Sequence, residues 1–203
     1  MESVKEIKKI AVIGPESTGK STLCEQLAQH YNSLWCPEFA REYLLTHGMD
    51  YDFDDLLFIA KGQIAMEEEY IRMASRENNP IQQEFPHSPL TSHYLPTGQA
   101  GSPLFIDTDM YVMKVWCEFV FGNCHQFILD QIIERKYDHY LLCNIDLPWV
   151  KDELREYPDL ENRAKLYAIY EDIMINQSVP WTDISGETEE RLQRAITAVD
   201  ALL

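Results

Sequence analysis

Gly14-Pro15-Glu16-Ser17-Thr18-Gly19-Lys20-Ser21-Thr22 brings two glycines, a lysine and several hydroxyls into one short segment. The spacing fits G-x-x-x-x-G-K-[S/T], a loop that wraps a polyphosphate. Glycines let successive backbone N–H groups turn inward on a β-phosphate, Lys20 reaches the β/γ oxygens, and the Ser21 hydroxyl reaches Mg²⁺. The apolar run Ile10-Ala11-Val12-Ile13 precedes the loop, and an amphipathic stretch with Leu23, Leu27, Ala28 and Tyr31 follows it. Strand, loop and helix therefore come in the order such a site needs. The expected ligands are ATP and Mg²⁺, with Gly14, Glu16, Ser17, Thr18, Gly19, Lys20, Ser21 and Thr22 around the nucleotide. The plainer reading is a glycine-rich helix entry with no ligand.

Three more segments carry matching chemistry. Leu104-Phe105-Ile106-Asp107-Thr108-Asp109 ends an apolar strand in two acids, and Asp107 is expected beside Ser21, holding Mg²⁺ directly or through water. Strand-end aspartates also cap the helix that follows, so Asp109 reads equally as a cap and as a substrate ligand or base. In Pro37-Glu38-Phe39-Ala40-Arg41-Glu42-Tyr43 the spacing puts Glu38 and Arg41 on one helix face. Glu38 is suited to accept a hydroxyl proton or bind ribose hydroxyls, and Arg41 to lie near the transferred phosphoryl group; the bland alternative is a surface ion pair. The third segment, 146–163, leaves a strand and enters helix as a closing lid would, with Arg155 and Arg163 over the β/γ-phosphates. Helix-surface arginines are the competing account. Trp149, Tyr111, Trp116 and Trp35 are candidates to stack on a base, and equally core residues.

The elements that must hold these groups alternate along the chain. Strand-like runs at Ile7 to Ile13, Ser33 to Cys36, Leu104 to Asp107, Tyr140 to Asn144 and Val179 to Ile184 are separated by helical patterns. That rhythm predicts an α/β fold of the P-loop NTPase type: three α/β/α layers, a five-stranded parallel sheet and a helical lid. Helix is expected over Pro37 to His47, over Phe53 to Arg76 as one long helix or two abutting ones, and over Met110 to Phe121. Between Asn78 and Pro103, prolines and glycines punctuate a polar stretch, read as a flexible insertion ahead of a mobile lid.

A chain of 203 residues with 45% hydrophobic content predicts a single domain, 1–203, with a real core. The net charge of −17 argues against nucleic-acid binding, which needs clustered cations, and points to a small-molecule partner. No run approaches the ~18 apolar residues of a membrane span, and Met1-Glu2-Ser3-Val4-Lys5-Glu6 does not resemble a signal peptide, so a cytoplasmic location without membrane contact is expected. The five scattered cysteines suit buried reduced thiols better than a zinc site.

The loop with Pro-Glu-Ser inside it, Glu38-Phe39-Ala40-Arg41-Glu42, Asp107-Thr108-Asp109, and Trp149 with Asp152, Arg155 and Arg163 follow one another in this order. The combination resembles the nicotinamide riboside kinase domain of the bacterial NadR group of P-loop proteins, over essentially the whole chain. The resemblance implies transfer of the γ-phosphoryl of ATP to the 5′-hydroxyl of nicotinamide riboside, giving nicotinamide mononucleotide for NAD salvage. On this reading Lys20, Asp107, Glu38, Arg155 and Arg163 are catalytic, Glu38, Arg41, Asp109, Tyr111 and Trp149 meet the substrate, and Ser21 and Asp107 hold the metal. Three features depart from the group: Pro37 replaces an aromatic residue, Glu153 replaces a smaller Gly, and the proline-rich stretch has no counterpart. The DNA-binding and adenylyltransferase modules that precede the kinase in multi-domain members are not expected here. Another nucleoside or nucleotide kinase of the same fold, or a regulatory P-loop ATPase, are the alternatives.

Overall fold

The computed structural model describes residues 7–75 and 102–203. The expectation for residues 78–103 therefore lies almost wholly outside the described residues, as does the extreme N-terminus. Within them, β1 (Lys9–Ile13), β2 (Trp35–Cys36), β3 (Leu104–Asp107), β4 (His139–Cys143) and β5 (Trp181–Ile184) form a five-stranded sheet in the order β2-β3-β1-β4-β5. Each pairing is parallel. The second strand is shorter than the expected Ser33 to Cys36, and the third has the expected ends.

Helices cover both faces because the strands are apolar on both. On one face Ile10 and Val12 of β1 pack with Phe105, Leu141, Cys143 and Ile184 against α1 (Lys20–Tyr31) and α7 (Thr188–Asp200). On the other, Ala11 and Ile13 pack with Ile106, Tyr140 and Leu142 against α4 (Met110–Phe121) and α6 (Leu160–Asn176). This double burial is the usual condition of a parallel sheet. A third cluster lies among helices, where α2 (Phe39–His47), α3 (Phe53–Ala74), α4 and α5 (Gln126–Glu134) meet.

The stretch that allowed one long helix or two is a single helix, α3, which Asp52 starts with a reciprocal cap. The Asp52 carboxylate accepts from Asp54 N and Asp55 N at 2.9 and 3.0 Å, and Asp55 returns the bond to Asp52 N at 2.9 Å. Gly62 lets α2 lie close on α3: a Cβ there would stand 2.2 Å from the Phe39 ring. The side chain of Gln63, next in α3, accepts from Phe39 N at 2.7 Å.

The 146–163 region is not the helical lid expected. Residues 146–159 are irregular, and helix begins only at Leu160, where Asp159 caps α6 by accepting from Asn162 N at 2.8 Å. Pro148 and Pro158 supply no N–H donor, and the Asp152 carboxylate draws Leu154 N at 3.1 Å into a local turn that competes with helix.

Candidate active site

The phosphate loop leaves the carboxyl end of central β1 and turns into α1. Gly14 has φ 138°, and a Cβ on it would sit 2.7 Å from the carbonyl of Cys143 on β4, so any side chain would break the contact between loop and sheet. Gly19 caps α1 at φ 78°. The buried Thr18 hydroxyl donates to Pro15 O at 2.7 Å and braces the loop from inside. Lys20 Nζ reaches back over it, donating to Gly14 O and Pro15 O at 3.1 Å each. The first turn of α1 carries no acid, so the positive end of the helix faces the loop undiminished. Helix end and ammonium thus both lie at the loop, an arrangement that suits an anion.

Asp107 ends β3 beside this site. It is fully buried; Oδ2 accepts from the Ser21 hydroxyl at 2.5 Å, and Oδ1 has no partner among the described residues. Burial pushes its pKa up to about 6, Glu38's charge adds to the rise, and Lys20 and Ser21 oppose it. Glu38 therefore lies near Asp107. It is the N-cap residue of α2, but its carboxylate does not cap the helix.

Asp109 resolves to the cap. Its Oδ1 accepts from Tyr111 N at 3.0 Å and Val112 N at 3.2 Å, it bonds the Tyr140 side chain, and it is 1% exposed. With these donors on it and almost no exposure, the carboxylate serves as the cap, one of the two roles expected of it. Burial raises its pKa to about 7. Tyr111, half-buried, packs edge-on to Tyr140 at 5.8 Å. Trp116 donates to Tyr51 OH at 3.0 Å.

The irregular 146–159 segment crosses to the loop. Trp149 Nε1 lies 3.5 Å from Glu16 Oε1, so this ring meets the phosphate loop. Glu156 N and Tyr157 N donate to the Glu16 carboxylate at 3.0 and 2.5 Å, and Val150 N donates to Ser17 Oγ at 3.0 Å. Arg41 of α2 pairs with Asp152 at 3.0 Å, tying α2 to the segment. The two arginines expected over the phosphates each donate to its backbone. Arg155 donates to Val150 O at 2.5 Å, and Arg163, 4% exposed, donates to Ile145 O and Leu147 O at 3.3 and 3.1 Å. Carbonyls left without helix or strand partners attract both guanidinia, while the Glu16 charge also reaches Arg163, whose Nε has no partner among the described residues. The Glu16 side chain, expected at the nucleotide, bonds the 146–159 segment instead.

Two residues were missed. Gln63 Nε2 donates to Pro37 O at 3.3 Å and Asp107 O at 3.4 Å, linking α2, α3 and the end of β3. Arg191 of α7, 4% exposed, donates to Thr18 O at 2.6 Å and pairs with Asp146 at 2.5 Å. Each interrupts an apolar stripe: Gln63 lies between Ala60 and Ile64, and Arg191 shares the buried face of Ala195 and Val199. A polar residue at a core position of a helix was the available signal.

The residues present fit a nucleotide polyphosphate and a hard divalent cation. Gly14 and Gly19 shape a cradle lined by N–H groups, and the orphaned Oδ1 of Asp107 with the Ser21 hydroxyl supplies oxygens of the type Mg²⁺ takes. Among the described residues no helix is long and apolar enough to cross a membrane.

The AAA_28 family model, an AAA domain, matches residues 9–191. The trifunctional NAD biosynthesis/regulator protein NadR of Escherichia coli (strain K12) is 25% identical over 97% of this chain, which spans 43% of that protein. Crystal structures of NadR in complex with NR, and with NAD and AMP-PNP, superpose with TM-scores of 0.70 and 0.64 at 21% and 20% identity, each covering 96% of this chain and 49% of theirs. Thymidylate kinase from Ehrlichia chaffeensis superposes with a TM-score of 0.56 at 16% identity, covering 97% of this chain and 98% of its own. The chain thus spans less than half the length of the NadR proteins it resembles, and matches the thymidylate kinase from end to end. A phosphate loop joined to Asp107 across β1 and β3, in a sheet shared with these kinases, carries the family match into the geometry: the chain belongs to the AAA_28 family of P-loop domains and has the P-loop kinase fold.

Proposed function

We propose that the protein is an ATP- and Mg²⁺-dependent kinase that phosphorylates the 5′-hydroxyl of a nucleoside, and that the nucleoside is nicotinamide riboside. The observation that carries the reading is the Ser21–Asp107 pair with its free Oδ1, set beside a lysine-crossed phosphate loop. Gly14 to Thr22 would hold the ATP phosphates, with Ser21 and Asp107 as the metal's protein ligands. Mg²⁺, when bound, neutralises phosphate charge. Lys20 adds a fixed positive charge where negative charge builds during transfer. Glu38, close to Asp107, would orient the acceptor hydroxyl and take its proton. The irregular segment from Asp146 to Asp159 covers the loop and limits water.

The NadR likeness supports the acceptor, and so does the chemistry of the cleft. Nicotinamide riboside is a cation, a charge that the Glu38 carboxylate beside Asp107 would favour and that the half-buried Tyr111 ring would face. A cation–π contact contributes about 0.5–2 kcal/mol, a factor of about 2 to 30 in affinity. Incubation with ATP, Mg²⁺ and a nucleoside panel, followed by mass analysis of the product, should give nicotinamide mononucleotide in preference to the phosphates of uridine, cytidine and adenosine. The reduced, uncharged riboside should react less efficiently. Equal efficiency for both forms would defeat the charge argument, and exclusive use of another nucleoside would defeat the acceptor while leaving the kinase.

A further inference from the structure

Glu16 is the only acid within Gly14 to Thr22, and a carboxylate there opposes the anion the loop is built for. Its side chain is committed elsewhere. Trp149 Nε1, Glu156 N and Tyr157 N converge on it at 3.5, 3.0 and 2.5 Å, and the neighbouring Ser17 hydroxyl accepts from Val150 N at 3.0 Å. These amides belong to the irregular 146–159 segment, where no helix or strand satisfies them. Hydrogen bonds to an ionised acceptor are the stronger class, so this one carboxylate is a disproportionate share of what holds the segment down. Arg155 and Arg163 brace the same segment from within, through Val150 O, Ile145 O and Leu147 O, and make no bond to the loop in doing so.

We infer that Glu16 is a positioning residue that latches the 146–159 segment onto the phosphate loop, and that this latch keeps water from the phosphoryl donor so that transfer goes to the acceptor. The second half rests on the kinase reading; the first does not. The loop and its cover are one hydrogen-bonded unit, and loss of the latch frees the cover without touching Lys20 or Asp107.

Amide hydrogen exchange on the ligand-free full chain tests the latch in Glu16→Ala and Glu16→Gln. In Glu16→Ala the Glu156 and Tyr157 amides should exchange about tenfold faster, with β4 and α6 unchanged as the control for folding. Glu16→Gln, which keeps one acceptor oxygen, should fall between Ala and wild type. In the assay with nicotinamide riboside, the ratio of ATP hydrolysed to nucleoside phosphorylated should rise in the same order, while the KM for ATP moves less than the ratio. Unchanged exchange overturns the latch, and a raised KM for ATP with unchanged exchange makes Glu16 part of the nucleotide cradle instead. Faster exchange with an unchanged hydrolysis ratio overturns the water-excluding role. A wild-type protein that phosphorylates no nucleoside defeats the kinase reading, and the exchange result still decides whether Glu16 latches the segment.

Discussion

Ser21 and Asp107 meet at 2.5 Å across 86 positions of sequence because the parallel register of β1 and β3 sets Val12 opposite Asp107. The strand that launches the loop thus fixes the acid beneath it. Asp107→Asn should raise the Mg²⁺ concentration needed for half-maximal rate and lower turnover, since an amide is a poorer ligand for a hard cation. The same variant should unfold at higher urea, because burial already disfavours this carboxylate's charge. Unchanged Mg²⁺ dependence would move the metal elsewhere.

Lys20→Ala should abolish phosphoryl transfer and leave the fold intact. The ammonium rests on the Gly14 and Pro15 carbonyls at the protein surface side of the loop and supports no part of the core. Circular dichroism and turnover, measured on one preparation, separate the two effects; near wild-type turnover would rule the loop out as the catalytic site.

Arg191→Ala should destabilise the fold and weaken ATP binding together. It removes the donors to Thr18 O and Asn144 O and leaves Asp146 with less compensation. Because Asp146 is 35% exposed, the loss should be about 1–3 kcal/mol, below that of a fully buried pair. Urea unfolding and nucleotide titration read the two parts.

Thr108 holds a left-handed backbone, φ 76°, between Asp107 and the cap Asp109. A β-branched residue is strained there. Thr108→Gly should raise stability by about 1 kcal/mol, strain relief exceeding the added freedom of the unfolded chain, and should lower turnover as Asp107 loses its fixed aim. A variant that is both less stable and fully active would contradict this account.

His139, buried in β4 and bonded through Nε2 to the Thr182 hydroxyl at 2.9 Å, has its pKa pushed below the usual 6.5 by burial. The unfolded chain then takes up this proton at higher pH than the folded one, so its contribution to stability is whole above pH 6.5 and is lost as pH falls toward the lowered value. Asp107 and Asp109, with raised pKa values, act in the opposite sense between about pH 4 and 7. The difference between wild type and His139→Gln isolates the histidine: the variant's urea midpoint should fall less on acidification from pH 7 to 5.

The parts of the fold governed by local pattern were legible in the sequence. β3 and α4 have their expected ends because an apolar run stops at Asp107 and Asp109 is a good cap. The loop, Asp107 and the nearness of Glu38 followed from motif and topology. Direction of long side chains did not: Arg155 and Arg163 were legible as charges in the right region, but their partners are carbonyls of an irregular segment that no periodicity announces. Arg163 did carry a hint, sharing the buried face of α6 with Leu166, Tyr170 and Met174. Glu67 is a comparable case in α3. Its burial depends on Tyr137 and Arg135, which lie far along the chain.

The contact between Gly62 and Phe39 gives the two sides of the cleft different mechanical standing. The donor side is cast in the sheet, where Ser21 and Asp107 inherit their spacing from strand register. The Glu38 side, where the proposed function puts the acceptor, hangs from two helices whose separation is set by the absence of one methyl group. Alanine at position 62, which isolated-helix propensity would favour by about 1 kcal/mol over glycine, would push the Phe39 ring outward and carry Glu38 with it. The cleft is a vice with one fixed jaw and one adjustable jaw. On the proposed function, its screw is a residue set away from the phosphate loop, so that the size of the accepted molecule would change while the grip on the phosphates stayed as it was.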